Sequence, residues 1–121
     1  MEFDNNIPIY LQVIHDIKVK IVNGNLSLGE KLPSSRELAF MYSINPNTAN
    51  RIYKELEAEQ ICFTKRGIGT YITEDEEKIH LIQEEMAEDI VKSFVTGMTN
   101  LSFSREEAIR LIRNYYEQME I

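Results

Sequence analysis

Apolar residues recur at Tyr10, Val13, Ile14, Ile17 and Ile21, with Gln12, His15, Asp16 and Lys18 between them. That spacing lines one face of a helix, so a first helix is expected after Pro8, a residue suited to a helix start. "NGN" at 23–25 stops it, because Gly24 can take the left-handed conformation beyond a last turn. "LSLGEKLPSS" reads as an irregular connector punctuated by Gly29 and Pro33. In "SSRELAFMYS", Ser34 or Ser35 can cap a short second helix, with Glu37 in its first turn and Leu38, Ala39 and Met41 facing inward. Asn45 can cap a third helix, with Pro46 at the first position, where its missing N–H costs nothing. Ala49, Ile52, Tyr53 and Leu56 form its buried stripe, and Asn47, Thr48, Arg51 and Lys54 lie on or beside the opposite face. Only "SIN" separates the second and third helices, the length of a helix-turn-helix connection.

The period changes at residue 61. "ICFTK" and "TYIT" are rich in β-formers and flank "RGIG", which predicts a hairpin directly after the third helix, with Ile61 and Phe63 looking inward. From Glu74 the helical period returns with Ile79, Ile82, Met86, Ile90 and Phe94 on one stripe, widened by Ala87, Val91, Val95 and Met98. "GMTNLSF" is expected to break it, and Ser104 with Glu107 forms a capping box that opens a last helix. The apolar positions there are Ala108, Ile109, Ile112, Tyr115, Tyr116 and Met119. The expected fold is mainly α with a small β-hairpin. It comprises an N-terminal winged helix-turn-helix, residues 1–73, followed by a two-helix C-terminal dimerisation region, residues 74–121.

Charge changes this picture in one respect. The chain of 121 residues carries a net −7, which by itself argues against a polyanion partner. Residues 1–73 hold eight Lys/Arg and eight Asp/Glu, however, while residues 74–121 hold five basic against twelve acidic. The whole excess lies in the C-terminal part, and a basic surface on the hairpin-bearing part is allowed. No apolar run approaches the roughly 20 residues of a membrane span, and "MEFDNN" lacks the layout of a signal peptide. A lone Cys62 excludes a disulfide framework and a cysteine metal site, which with the rest points to a reducing, cytoplasmic setting. His15 and His80 have no second ligand at metal spacing, and no triad, phosphate loop or carboxylate pair emerges. No enzyme activity and no cofactor are expected.

From Pro8 to Ile72 the series "PIYLQV", N-G-N, "LGEKLPSSRELA", "NTANRIYKELEAE" and "KRGIGTYI" resembles the DNA-binding domain of the GntR family of bacterial transcription regulators. The "NPNT" run and a tail of about 50 residues resemble its YtrA subfamily, whose two C-terminal helices dimerise. The resemblance implies a homodimer that binds a palindromic operator in double-stranded DNA and represses its own operon, often one for a transporter. Any small-molecule effector would have to use the dimer interface or the hinge near Thr73 and Glu74.

Helix-turn-helix readers present the N-terminal turns of the recognition helix to base edges. Asn47, Thr48 and Asn50 supply short amide and hydroxyl groups there, and Arg51 can reach guanine or phosphate. Lys54 is better placed for the backbone, Asn45 borders a phosphate while capping, and Arg36 matches a family position that contacts DNA. Ser35 offers its hydroxyl or N–H to phosphate. Lys65 and Arg66 sit at the wing tip, where Gly67 and Gly69 let the backbone come close. Ile79, Ile82, Met86, Ile90, Phe94, Ile112, Tyr115 and Tyr116 are the expected dimerisation residues. Two departures from the family pattern stand out. Pro46 replaces a common arginine, and Gln60 replaces the glycine that ends the recognition helix, where a left-handed Gln costs on the order of 1 kcal/mol. The alternative is a winged helix used as a protein-interaction module, against which Arg36, Arg51, Lys54 and Arg66 argue.

Overall fold

A computed structural model describes residues 1–119. Its elements are α1 (Ile9–Val22), α2 (Ser35–Tyr42), α3 (Pro46–Ala58), β1 (Cys62–Lys65), β2 (Gly69–Ile72), α4 (Glu76–Asn100) and α5 (Arg105–Met119). The chain gathers into two compact units, Met1–Gln83 and the remainder from Glu84. The order and types of the elements agree with the periodic reading.

The first unit is a three-helix core with a wing. Val13, Ile14, Ile17 and Ile21 of α1 are buried with Leu38, Ala39 and Tyr42 of α2 and Ala49, Ile52, Tyr53 and Leu56 of α3. Ile61 and Ile72 carry that core under the hairpin. Met41, expected inside, is exposed, and Tyr42 takes the inward place. The short helix is rotated so that the Tyr42 hydroxyl can donate to Asp16 Oδ2 at 2.6 Å, while Lys20 Nζ lies 3.1 Å from the same oxygen. Burial works to raise the Asp16 carboxyl, but the bonds from Tyr42 and Lys20 outweigh it and hold the carboxyl below its ordinary value. The Asp16 bond raises Lys20 in turn.

Caps set the ends of the helices. The Ser34 hydroxyl accepts from the Glu37 N–H at 3.1 Å, and the Glu37 carboxylate accepts from the Ser34 N–H at 3.0 Å, so Ser34 is the cap and Ser35 the first helical residue. Ser43 closes α2 in the left-handed region, φ 56°, and the Ile44 N–H returns to the Ala39 carbonyl at 2.9 Å. That turn delivers the chain to Asn45, whose side-chain oxygen accepts from the Asn47 N–H at 2.8 Å. Gln60 leaves α3 at φ 62°, the left-handed exit expected from its position.

The wing pairs Cys62 with Ile72, Phe63 with Tyr71, Thr64 with Thr70 and Lys65 with Gly69. Phe63 points outward rather than inward and stacks on Tyr71 with ring centres 5.9 Å apart. Ile61 and Cys62 go inward instead, because Ile61 still belongs to the helix exit. The connector before α2 is also more ordered than its composition suggests. The Leu32 N–H donates to the Thr70 carbonyl at 2.7 Å and the Ile72 N–H to the Glu30 carbonyl at 2.9 Å, with Lys31 opposite Tyr71. Residues 29–32 thus cover the free edge of β2, which a two-stranded hairpin would otherwise leave unpaired.

The second unit takes α4 on through Gly97 and Met98 to Asn100, past the expected break. One glycine costs a helix only about 1 kcal/mol, and the chain turns instead at Ser102, φ 64°. The capping box is present: the Glu107 N–H donates to Ser104 Oγ at 3.2 Å, and Glu107 Oε1 accepts from the Ser104 N–H at 3.0 Å. No residue of α5 is buried.

Candidate nucleic-acid interface

The polar edge of α3 is built by its own stripe. With Ala49, Ile52, Tyr53 and Leu56 locked inward, the helical period places Asn47, Asn50, Arg51 and Lys54 outward, and all four are exposed. Thr48 is half-buried. The Tyr53 hydroxyl donates to the Pro33 carbonyl, tying α3 to the entry of α2, and burial pushes that phenol far above its ordinary value. α2 therefore meets the recognition helix with its N-terminus fixed. Arg36, in the first turn, is exposed, and Ser35 is half-buried beside it. A helix N-terminus with an arginine on its first turn suits a phosphate.

The wing tip carries Lys65, Arg66 and Gly67, all exposed. Gly67 has φ 76° and Gly69 φ 147°, conformations that fit glycine and make the reversal. Lys65 is drawn over the aromatic pair, its ammonium 4.9 Å from the Tyr71 ring centre and 5.7 Å from that of Phe63. Among the described residues Arg36, Lys54, Lys65 and Arg66 form no salt bridge, so each keeps its charge available to a polyanion.

Two side chains absent from the sequence-based site belong to this surface. Lys31 lies across the wing: a Cβ added at Gly69 would come within 2.6 Å of Lys31 Cε. Gly69 thus makes room for a third cation beside the wing, supplied by the segment that pairs with the edge of β2. Tyr10, at the start of α1, lies under Arg51, whose guanidinium carbon is 3.7 Å from the ring centre. The helical stripe counts Tyr10 among the inward positions, where it is half-buried, and nothing local in "LGEKLP" signals Lys31.

The positions expected to dimerise fall into distinct groups. Ile82 is buried within the first unit at 6% exposure, and Ile79 is half-buried there. In the second unit Met86 and Phe94 are half-buried, whereas Ile90, Ile112, Tyr115 and Tyr116 are exposed. Cys62, at 3% exposure, is enclosed, and burial pushes its thiol up to about 12, which leaves little reactive thiolate at neutral pH.

Comparison with known proteins decides the family. Residues 9–72 match the family described as bacterial regulatory proteins, gntR family. The chain belongs to the GntR family. It is 36% identical to the HTH-type transcriptional regulator YhcF of Bacillus subtilis over 116 residues, 96% of each chain. It is 42% identical to the HTH-type transcriptional repressor YtrA of the same organism over 97 residues, 75% of each. A solved GntR family transcriptional regulator from Listeria monocytogenes superposes with a TM-score of 0.88 at 38% identity, covering 93% of this chain and 98% of that one. As a GntR-family member of YtrA type with a winged helix-turn-helix, the chain is a DNA-binding transcription regulator.

Proposed function

We propose that this GntR-family chain acts in the cytoplasm as a homodimeric repressor. Residues 1–73 read the two halves of a palindromic operator, and residues 74–121 join the two copies. The observation that carries the reading is the set of unpartnered apolar side chains on the C-terminal helices. Ile90, Val91 and Val95 of α4 and Ile109, Ile112, Tyr115 and Tyr116 of α5 are all exposed in the single chain. A lone soluble chain rarely leaves so many large apolar groups in water, and a two-fold partner both covers them and supplies paired reading heads. Asn47, Thr48, Asn50 and Arg51 take the base edges, while Ser35, Arg36, Asn45, Lys54, Lys65, Arg66 and Gly67 hold the backbone. The repressor sense is carried over from the relative YtrA, and the regulated genes, by the subfamily resemblance, are the chain's own operon with a transporter.

Sedimentation equilibrium of the intact chain and of the Ile90→Glu/Ile112→Glu variant tests the assembly. A dimer that the double variant dissociates supports the reading, and a monomeric wild type refutes it. Footprinting on the DNA upstream of the gene tests the operator. Protection of two inverted half-sites is expected, and affinity no tighter than for random duplex at moderate salt would overturn operator binding.

A further inference from the structure

Two side-chain contacts join α1 to α3 and its C-terminal cap. Arg51 stacks on Tyr10 at 3.7 Å, and Lys18 Nζ pairs with Glu59 Oε1 at 3.1 Å. Tyr10 and Lys18 are eight residues apart, and so are Arg51 and Glu59. Eight residues of helix rise about 12 Å, so the two contacts follow α1 and α3 in the same chain direction. The Tyr10 stack is the tie nearer the N-terminal end of α3, where a recognition helix meets DNA. Lys18–Glu59 closes the other end, toward Gln60.

A guanidinium centred 3.7 Å over a ring can keep its donors available, because all five N–H groups point within its own plane and need not be spent on the ring. The stack therefore restricts where Arg51 can swing without occupying the edge that hydrogen-bonds a base or phosphate. An exposed arginine on a helix crest otherwise samples many rotamers, and ordering them on binding weakens association. Tyr10 is itself half-buried on the first turn of α1, which limits how far its ring can move beneath the arginine.

We propose that Tyr10 is a positioning residue for DNA recognition: its ring holds the Arg51 guanidinium in the pose that contacts DNA. The proposal rests on the DNA-reading role of α3. Tyr10 acts through Arg51, and its hydroxyl is not needed.

The test compares the full-length chain with Tyr10→Phe, Tyr10→Leu, Arg51→Ala and Tyr10→Leu/Arg51→Ala by fluorescence anisotropy on upstream DNA. Circular dichroism melting of each variant checks the fold. Tyr10→Phe keeps the ring and should bind within twofold of wild type. Tyr10→Leu should weaken binding about 5-fold, the size of an exposed cation–π contact. The double variant should bind no worse than Arg51→Ala alone. Additive losses in the double variant, or a silent Tyr10→Leu beside a weakened Arg51→Ala, would overturn the positioning role and leave DNA reading intact. A silent Arg51→Ala would remove the DNA role of Arg51 and overturn the proposal with it. A readout free of DNA accompanies these: the Arg51 side-chain protons should show an upfield ring-current shift in wild type and Tyr10→Phe, lost in Tyr10→Leu. Its absence in wild type would refute the stack in solution.

Discussion

Helices α3 and α5 are both amphipathic, with apolar residues at three- and four-residue steps on one side and charged residues on the other. On α3, Ile52 and Leu56 are fully buried, covered by α1, α2 and β1. On α5, Ile109, Ile112, Tyr115 and Tyr116 are between 40% and 65% exposed. The same kind of pattern thus yields a core helix in one unit and an uncovered one in the other. Periodicity identifies a face that needs cover and does not say what supplies it. For α3 the cover comes from elements within about forty residues of it in the same chain; for α5 the proposed cover is a second copy.

The largest effect should separate the two helices outright. Leu56→Ala should cost about 2–5 kcal/mol in urea unfolding through the cavity it leaves. Ile112→Ala, measured on dilute chain where association is negligible, should stay within about 0.5 kcal/mol. Equal losses would erase the contrast. Next comes the division between the two sides of α3 itself. Thr48→Ala should leave the melting temperature nearly unchanged while weakening operator binding by roughly 1–3 kcal/mol and relaxing preference at one base position. Unchanged affinity in a folded variant would mean the docking edge lies elsewhere.

A smaller effect sharpens the account of how α1 holds α2. The Asp16 carboxyl is depressed below its ordinary value of 3.8. Its contribution to stability is therefore present above about pH 4 and lost as pH falls through the lower folded-state value. Lys20 is raised above 10.5, so its share is present below that pH and lost as pH rises through the folded value. Asp16→Asn should cost about 1 kcal/mol near neutrality by urea unfolding. The variant should also flatten the acid limb, and an unchanged limb would assign the acid sensitivity to other carboxylates. The smallest effect concerns the wing. Lys31→Ala should weaken binding a few-fold, equally for operator and random duplex, and shallow the slope of log K against log salt by about 0.9. An unchanged slope would remove Lys31 from the interface.

Much of this architecture was legible in the residues. Gly24, Ser34, Asn45 and Ser104 mark helix ends through bonds to groups a few positions away, so local rules suffice for them. The exposed edge of α3 was legible too, because a well-filled stripe at Ala49, Ile52, Tyr53 and Leu56 leaves Asn47, Asn50, Arg51 and Lys54 one direction to face. Other features were not. Met41 and Tyr42 are adjacent on a helix of eight residues, and a hydroxyl partner on α1 decided which of them turned inward. Residues 29–32 have no strand period, and their order comes from the unpaired edge of β2. Phe63 faces outward because the strand starts one residue later than its alternation suggests, at Cys62.

By itself, then, the sequence determined the kind and order of the elements, their caps, the acidic C-terminal part and the family. Those properties depend on interactions within a few residues or on composition, which a linear pattern records. Tertiary structure alone decided that Lys31 crosses the wing at Gly69, that Ile82 is spent inside the first unit, and that Tyr10 lies beneath Arg51. Each of these is a contact between side chains set by where two backbones approach. Tyr10 and Arg51 are 41 positions apart in the chain, and no local propensity reaches that far. The reading edge is thus the outer side of a helix whose inner side the sequence had already placed, completed by neighbours that only folding brings to it.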